Sequence, residues 1–247
     1  MHEQDLETGM AGENAVPEVI VALDYPDPEM AFALVDRLPE GTWYKVGLEL
    51  FTLAGPPVVR RLVGDGRQVF LDLKLHDIPN TVAGAARAAA EMGVRLLTLH
   101  ASGGESMLRA AADAVAGENE ISGTDTRLLA ISVLTSLDDA GLESVMGPGA
   151  DVERAVGRLA GLARESGIDG VVSSVGECRA VKLACGPEFL VVTPGIRLAG
   201  EGSQDQKRVA TPAVAKAAGA DFLVVGRSIT RAEEPAAALE RIRFELR

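Results

Sequence analysis

Two lysines and two acids lie within or just after apolar, strand-like runs of this sequence, where charged side chains are uncommon. Asp72 and Lys74 alternate with leucines in "VFLDLKL", and Asp77 lies two positions after the end of this run. Lys45 lies in an earlier run, "WYKVGL". Lysine can release a proton in a protein and arginine cannot, yet the chain has only five lysines against 19 arginines. The pattern predicts a site in which a lysine donates a proton. The alternative is a buried Asp–Lys ion pair that only holds structure, although such pairs contribute little to stability.

The faces of this strand-like run divide its residues into two sets. Side chains alternate between faces along a strand, so Asp72 and Lys74 share one face and the three leucines of the run occupy the other. Asp77 has the opposite parity and lies beyond the predicted strand end. We therefore expect Asp72 and Lys74 to point into the site, and Asp77 either to turn with the loop or to point towards another subunit.

The elements that must position these residues alternate along the chain. Ala-rich amphipathic stretches separate β-rich apolar runs, of which there are eight: "VIVALD", "WYKVGL", "VFLDLKL", "LLTLHAS", "LLAISVLTS", "GVVSSV", "FLVVTPGI" and "FLVVGRS". Repeated strand–helix units imply parallel strands with right-handed crossovers. Eight units of this length predict an α/β fold, a single (β/α)₈ TIM barrel. An open doubly wound sheet is the alternative, and the lack of a G-x-G-x-x-G turn argues against it.

Helix boundaries follow from proline and glycine positions. Asp27–Pro28 and Thr211–Pro212 are typical of an N-cap followed by proline at the first helical position. Glycines are expected to end four helices, at Gly93, Gly117, Gly167 and Gly219. Residues 1–16 are polar and aperiodic, which predicts a flexible N-terminal tail, and residues 17–247 are expected to form the barrel domain.

The net charge of the chain argues against some classes of binding partner. The chain of 247 residues carries a formal charge of −12 and is 47% hydrophobic, which disfavours nucleic acid polymers and membrane surfaces as partners. A small anion needs only a local basic site and stays possible. No apolar run is long enough to cross a bilayer, no signal peptide is recognised, and we expect a cytoplasmic protein. Cys178 and Cys185 are expected to be reduced helix residues.

In a barrel of this kind the chemistry lies at the carboxyl ends of the strands. Polar residues occur at or near all eight predicted ends: Asp24, Lys45, Asp72, Lys74, His100, Ser102, Thr135, Ser136, Ser173, Ser174, Arg197 and Arg227. "PGIR" and "VGRS" belong to the last two runs, where many barrels bind phosphate, so Arg197 and Arg227 are predicted to bind an anion. His76 and His100 are interpreted as structural. The polar stretch "LAGEGSQDQK" after Arg197 is either a closing lid or an exposed loop.

Several motifs together resemble one enzyme family over about Val19 to Glu234. "ALDYPD", "KVGLELF", "FLDLKLHDIPNTV", "LTLHASGG", "SVLTS", "TPGIR", "DQKR" and "VVGRSIT" resemble the orotidine 5′-monophosphate decarboxylases of bacterial type. The resemblance implies decarboxylation of orotidine 5′-monophosphate to UMP and CO₂, the last step of de novo UMP synthesis. It implies that no cofactor and no metal takes part, and that the enzyme is a homodimer.

The resemblance also implies a role for each matching residue. Asp24 would hold ribose hydroxyls, and Lys45 would bind the ribose and join an alternating Lys–Asp–Lys–Asp array. Asp72 would stand beside the substrate carboxylate, and Lys74 would be the proton donor. Substrate contacts are also implied for Thr135, Ser136, Pro194 and Gln206, with Gln204 close to the last of these. Arg197, Gly226 and Arg227 would bind phosphate. The residues that would enter the site of the neighbouring subunit are Asp77, Ile78 and Thr81.

Two other functions stay open at this point. The first is a metal-dependent hexulose-phosphate synthase or keto-gulonate-phosphate decarboxylase of the same superfamily. Such an enzyme would place an acidic metal ligand where this chain has Lys45. The second is a non-catalytic nucleotide-binding barrel, which could keep Arg197 and Arg227 but would not need the array of Asp72, Lys74 and Asp77 that this chain retains.

Overall fold

The computed structural model describes residues 16–198 and 210–247, and within them parallel strands close into a barrel in sequence order. The first and eighth strands pair with each other, so the barrel has no open edge. This confirms the predicted (β/α)₈ barrel. The eight strands found in the described residues are β1 Glu18–Ala22, β2 Trp43–Gly47, β3 Gln68–Leu75, β4 Leu96–His100, β5 Arg127–Ile131, β6 Gly170–Val172, β7 Leu190–Thr193 and β8 Phe222–Val225.

The helices of the described residues surround the barrel. They are α1 Pro28–Val35, α2 Leu48–Ala54, α3 Pro56–Gly64, α4 Pro79–Glu91, α5 Glu105–Ser122, α6 Asp139–Met146, α7 Val152–Glu165, α8 Val175–Cys185, α9 Pro212–Ala218, α10 Arg227–Thr230 and α11 Pro235–Glu245. None of the helices described is both long and apolar enough to cross a membrane. The expected tail, residues 1–16, lies outside the described residues except for Val16.

The predicted caps are confirmed and one predicted helix end is wrong. The side chains of Asp27 and Thr211 accept backbone N–H bonds at the starts of α1 and α9. Gly117, expected to end a helix, lies inside α5, which continues to Ser122 and ends at the left-handed Gly123. Glycine costs only about 1 kcal/mol in a helix interior, so the packing of α5 overrides it.

Apolar side chains form two separate layers, one on each side of the strands. The larger cluster fills the space between strands and helices and includes Val21, Val46 and Leu71. The smaller cluster fills the inside of the barrel, with Trp43 and Phe222 in edge-to-face contact beside it. Its buried members are Ile20, Ala22, Phe70, Leu96, Leu129, Leu190, Val192 and Val224. The barrel interior is therefore a packed core that supports whatever binds at its mouth.

Most strands end earlier than their apolar runs suggested. β5 ends at Ile131, so Thr135 lies four residues beyond it, and β6 ends at Val172. The fourth run turns into a short 3₁₀ helix at Ala101–Gly103. Apolar residues continue past the last ladder bond because the loops at the mouth also bury side chains, as Val133 does.

The contact between β6 and β7 depends on Gly170. A β-carbon at this position would overlap the carbonyl oxygen of Leu190 in the neighbouring strand. Gly170→Ala should therefore separate the two strands and lower the free energy of unfolding by about 2 kcal/mol or more, the cost of overpacking a core. Urea unfolding followed by circular dichroism measures this loss.

Gly157 supplies the matched control for this prediction. It is exposed on α7, and a β-carbon there would meet nothing within 4 Å. Gly157→Ala should raise the free energy of unfolding by roughly 0.5–1 kcal/mol, because alanine favours a helix interior. Equal effects of the two substitutions would show that the close approach at Gly170 does not constrain the barrel.

Candidate active site

Four charged side chains of alternating sign form a row at the mouth of the barrel. The Nζ atom of Lys45 lies 2.8 Å from Oδ1 of Asp24 and 4.0 Å from Oδ2 of Asp72. The Nζ atom of Lys74 lies 2.8 Å from Oδ1 of Asp72. Lys45 and Asp72 are largely buried, with only 12% and 13% of their side chains exposed. Each charge therefore has a neighbour of opposite sign, as charges removed from water require.

The end of β2 has no side chain where the Lys45 ammonium group lies, because residue 47 is glycine. A β-carbon on Gly47, the last residue of β2, would lie 2.9 Å from Nζ of Lys45 and 3.5 Å from Oδ1 of Asp24. Any side chain at this position would displace the ammonium group. Glycine at the end of β2 thus lets Lys45 turn back towards Asp24 while its strand stays paired with β1 and β3.

The predicted division of β3 into two faces is confirmed, with one local departure. Asp72 and Lys74 line the cavity, whereas the leucines of the run pack in the outer cluster. Lys74 has a left-handed backbone with φ of 52°, and the register between β3 and β4 shifts between Leu71 and Leu75. A non-glycine residue in this conformation is uncommon and is typical of functional sites, where surrounding contacts hold the strain.

Thr98 in β4 stabilises this irregular backbone at Lys74. Sequence analysis did not identify Thr98 as a site residue. Its hydroxyl accepts the backbone N–H of Lys74 at 2.8 Å and donates to Oδ1 of Asp72 at 2.9 Å. Thr98 thus fixes the Lys74 backbone and one oxygen of Asp72 at the same time. The available signal was a single polar residue within the apolar strand "LLTLH".

A cavity of about 620 Å³ opens above the charged row. Its floor consists of residues of the inner cluster, such as Phe70 and Val224. Most of the predicted site residues line it, namely Asp24, Lys45, Asp72, Lys74, Thr135, Pro194, Arg197, Gly226 and Arg227. Further lining residues that sequence analysis did not identify include Tyr25, Ile131, Leu134, Thr230 and Arg231. The cavity can hold a molecule with both a charged and an apolar part.

Arginines line the cavity on the side of β7 and β8. Arg197 is only 9% exposed, and its buried Nε atom has no hydrogen-bond partner within the described part of the chain. A buried guanidinium N–H left without a partner costs free energy. Arg227 begins α10 directly after Gly226. This side of the cavity therefore suits an anion that would complete the bonds of Arg197.

Some predicted residues do not line the cavity of their own chain. Asp77, Ile78 and Thr81 are exposed at the start of α4, where Oδ1 of Asp77 accepts the N–H of Ile78 at 2.6 Å. Ser136 also lies outside the lining residues described. Gln204 and Gln206, together with most of the expected lid, fall in the segment 199–209, outside the described residues.

The two histidines lie beside the charged row and face each other. The rings of His76 and His100 have centroids 5.2 Å apart. Burial lowers the pKa of His100, and the nearby His76 and Lys74 lower it further, against the opposing effect of Asp72. His100 is therefore neutral near pH 7, and neither histidine lines the cavity among the residues described.

Other groups that could act as nucleophiles or metal ligands lie apart from the cavity. Cys178 and Cys185 are free and buried, and burial raises the pKa of the Cys178 thiol to about 12. A thiol with this pKa is a poor nucleophile at neutral pH. Within residues 16–198 and 210–247, no three His, Cys, Asp or Glu side chains are grouped so that they could hold a metal ion.

Comparison with known proteins agrees with this geometry. The family model for "Orotidine 5′-phosphate decarboxylase / HUMPS family" matches residues 17–242. Orotidine 5′-phosphate decarboxylase of Moorella thermoacetica is 52% identical over 94% of this chain and 93% of its own, and that of Halorhodospira halophila is 53% identical over 93% and 96%. The crystal structure of orotidine 5′-phosphate decarboxylase from Lactobacillus acidophilus has a TM-score of 0.82 at 39% identity, covering 93% of this chain and 99% of that one. The chain belongs to the orotidine 5′-phosphate decarboxylase / HUMPS family.

Proposed function

We propose that this protein decarboxylates orotidine 5′-phosphate to UMP and CO₂, the last step of de novo UMP synthesis. The observation that carries the proposal is that the charged row and the arginines on the side of β7 and β8 line one and the same cavity. The row consists of Asp24, Lys45, Asp72 and Lys74. The relatives that are about half identical to this chain carry the name of this activity. The substrate has a phosphate for the arginines and a carboxylated pyrimidine for the charged row.

The chemistry assigned to the row follows from its charges. Breaking the bond between C6 and the carboxylate releases CO₂ and leaves an electron pair on C6. The ammonium group of Lys74, which is paired with Asp72 at 2.8 Å, stabilises that negative charge and then transfers a proton to C6. Solvent returns the proton to Lys74. Asp72 would also repel the substrate carboxylate, an effect that disappears as CO₂ leaves.

Binding at the far end of the cavity would align the reacting group. Arg197, Gly226 and Arg227 are assigned to the phosphate, and Asp24 and Lys45 to the ribose between phosphate and base. Thr135, Ser136 and Pro194 are assigned to contacts with the substrate, and Gln206 to a bridge between base and phosphate. Contacts remote from C6 supply binding free energy that holds the substrate in its reactive position.

Lys45 favours this reaction over the metal-dependent alternative. Its ammonium group lies between the carboxylates of Asp24 and Asp72, where the related synthases are expected to bind a cation through an acidic residue. A positive side chain already stands between the two acids at that point, and Lys74 supplies the second positive charge of the row, so we propose a reaction without a metal or cofactor. We also propose that residues 17–247 form one catalytic domain and that the protein is cytoplasmic.

We further propose a homodimer in which Asp77, Ile78 and Thr81 enter the site of the partner subunit. These residues do not line the cavity of their own chain and are exposed at the start of α4. Ile78 is 67% exposed, and Leu48, which follows the neighbouring strand β2, is 54% exposed. Both residues follow the carboxyl ends of the neighbouring strands β2 and β3, and contact with a second subunit would bury them.

Replacement of Lys74 tests both the activity and the proton donor. The wild type should consume orotidine 5′-phosphate, measured as loss of the orotate absorbance. Lys74→Ala should keep the barrel fold at lower stability, because Asp72 loses its nearer counter-charge, and it should raise the barrier by more than ~4 kcal/mol, about a thousandfold in rate. Lys74→Arg keeps the charge but cannot give up a proton, so it should stay nearly inactive. A Lys74→Ala enzyme within tenfold of wild type would remove this residue from the mechanism.

Replacement of Arg227 tests the phosphate end of the cavity. Arg227→Ala should weaken binding of orotidine 5′-phosphate by roughly 1.5–3 kcal/mol, the range for hydrogen bonds to a charged group. Turnover of orotidine, which has no phosphate, should change little. Measured kcat/KM for the two substrates gives the comparison, and equal losses on both would mean that Arg227 acts elsewhere.

Mixing two inactive variants tests whether Asp77 acts in the partner's site. Lys74→Ala and Asp77→Ala homodimers should each be nearly inactive. In a mixed dimer, two-fold symmetry puts both lesions in one site and leaves the other site with an intact Lys74 and an intact Asp77. Random exchange of subunits should therefore restore about a quarter of wild-type activity per site.

The control for this experiment is the formation of the mixed dimer itself. Differently tagged subunits, recovered through both tags in sequence, show that exchange has taken place. Recovered heterodimers without activity would mean that Asp77 serves its own chain, whereas the activity assigned to Lys74 would stand.

A further inference from the structure

Arg231 is a cation at the rim of the cavity to which the chemistry above gives no role. It lines the cavity together with Arg197 and Arg227. Arg197 is buried, whereas Arg231 is exposed. The backbone N–H of Arg231 donates to the carbonyl of Arg227 at 3.1 Å, so the two residues are one helical turn apart. Residues with this spacing have β-carbons about 5–6 Å apart, which puts both arginines at the same end of the cavity.

Hydrogen bonds fix the backbone around Arg231, whereas its side chain makes none to the described residues. The hydroxyl of Tyr25 donates to the carbonyl of Thr230 at 3.3 Å, and both residues line the cavity. Among the described residues, the Arg231 side chain makes no ion pair and no hydrogen bond. Glu233 and Glu234 follow it in the chain, but neither lines the cavity. The guanidinium of Arg231 thus reaches solvent at the mouth.

The net charge of the whole chain explains why a cation at the mouth of the cavity would help an anionic substrate to bind. The formal net charge is −12, so a multiply charged anion is repelled at a distance unless a local positive field attracts it. The described residues that line the cavity include five cations and two carboxylates. Lys45 and Lys74 are paired with Asp24 and Asp72, so among the described lining residues the arginines account for the difference in formal charge.

We propose that Arg231 is a capture residue, which attracts the phosphate group of the substrate to the mouth without forming a bond to it in the bound state. The inference rests on the proposed function for the identity of the substrate. Attraction between exposed charges acts over about 10 Å at 0.1 M salt and is screened as salt increases. A residue that acts in this way differs from a bonded arginine in its salt dependence.

The test compares kcat/KM for orotidine 5′-phosphate at about 10 mM and about 500 mM salt. Arg231→Gln should lower kcat/KM about three- to tenfold at low salt and less than about twofold at high salt. Arg231→Glu should show a larger loss with the same salt dependence. Arg227→Ala should keep most of its loss at high salt, because a direct hydrogen bond is screened much less.

Arg158→Gln is the matched control, because Arg158 is exposed on α7, away from the cavity, and the substitution changes the net charge equally. It should leave kcat/KM within about 1.5-fold of wild type at both salt concentrations. A loss for Arg231→Gln that does not exceed this control, or that is equal at low and high salt, would overturn the inference.

Binding of inorganic phosphate separates this inference from the proposed function. If the wild type did not consume orotidine 5′-phosphate, the proposed function would fail, but calorimetric titration with phosphate would still test Arg231. Arg231→Gln should then weaken phosphate binding about three- to tenfold at low salt and much less at high salt. Phosphate affinity that is independent of Arg231 at low salt would overturn the capture role in either case.

Discussion

Charges at the barrel mouth must be neutralised in place, and the rest of the site depends on this requirement. Asp72 lies within 2.8 Å of Lys74 and 4.0 Å of Lys45, and Asp24 lies within 2.8 Å of Lys45. These residues come from three consecutive parts of the barrel wall, so their distances are set by how β1, β2 and β3 pair. Removal of one member would leave a largely buried neighbour without a counter-charge, which is far more costly than losing the whole row.

The same requirement accounts for the unusual backbone at Lys74. A regular strand would continue the ladder with β4, but here the register shifts between Leu71 and Leu75 and Lys74 takes a left-handed conformation. The Thr98 hydroxyl accepts the freed N–H of Lys74 and donates to Asp72. Strain of this kind costs about 1–3 kcal/mol and persists only where surrounding contacts hold it. Here those contacts also aim an ammonium group at the cavity.

The two ends of the cavity differ in charge, and a single substrate can contact both of them. At one end, acids and lysines alternate and nearly cancel. At the other end, the buried Arg197 has an Nε atom without a partner in the described chain, and the exposed Arg231 extends to the rim. The packed inner core, with Phe70 and Val224 at its top, forms the floor between them. A strongly acidic protein can in this way hold an anion, because a local field decides binding at short range.

The sequence by itself determined the barrel, the common face of Asp72 and Lys74, and the helix starts at Asp27 and Thr211, because periodicity and capping are local properties. The tertiary structure decided the rest. Thr98 is 24 residues from Lys74 and 26 from Asp72, and only the pairing of β3 with β4 brings them together. Contacts between strands depend on register, which the tertiary packing sets and no single segment of sequence contains.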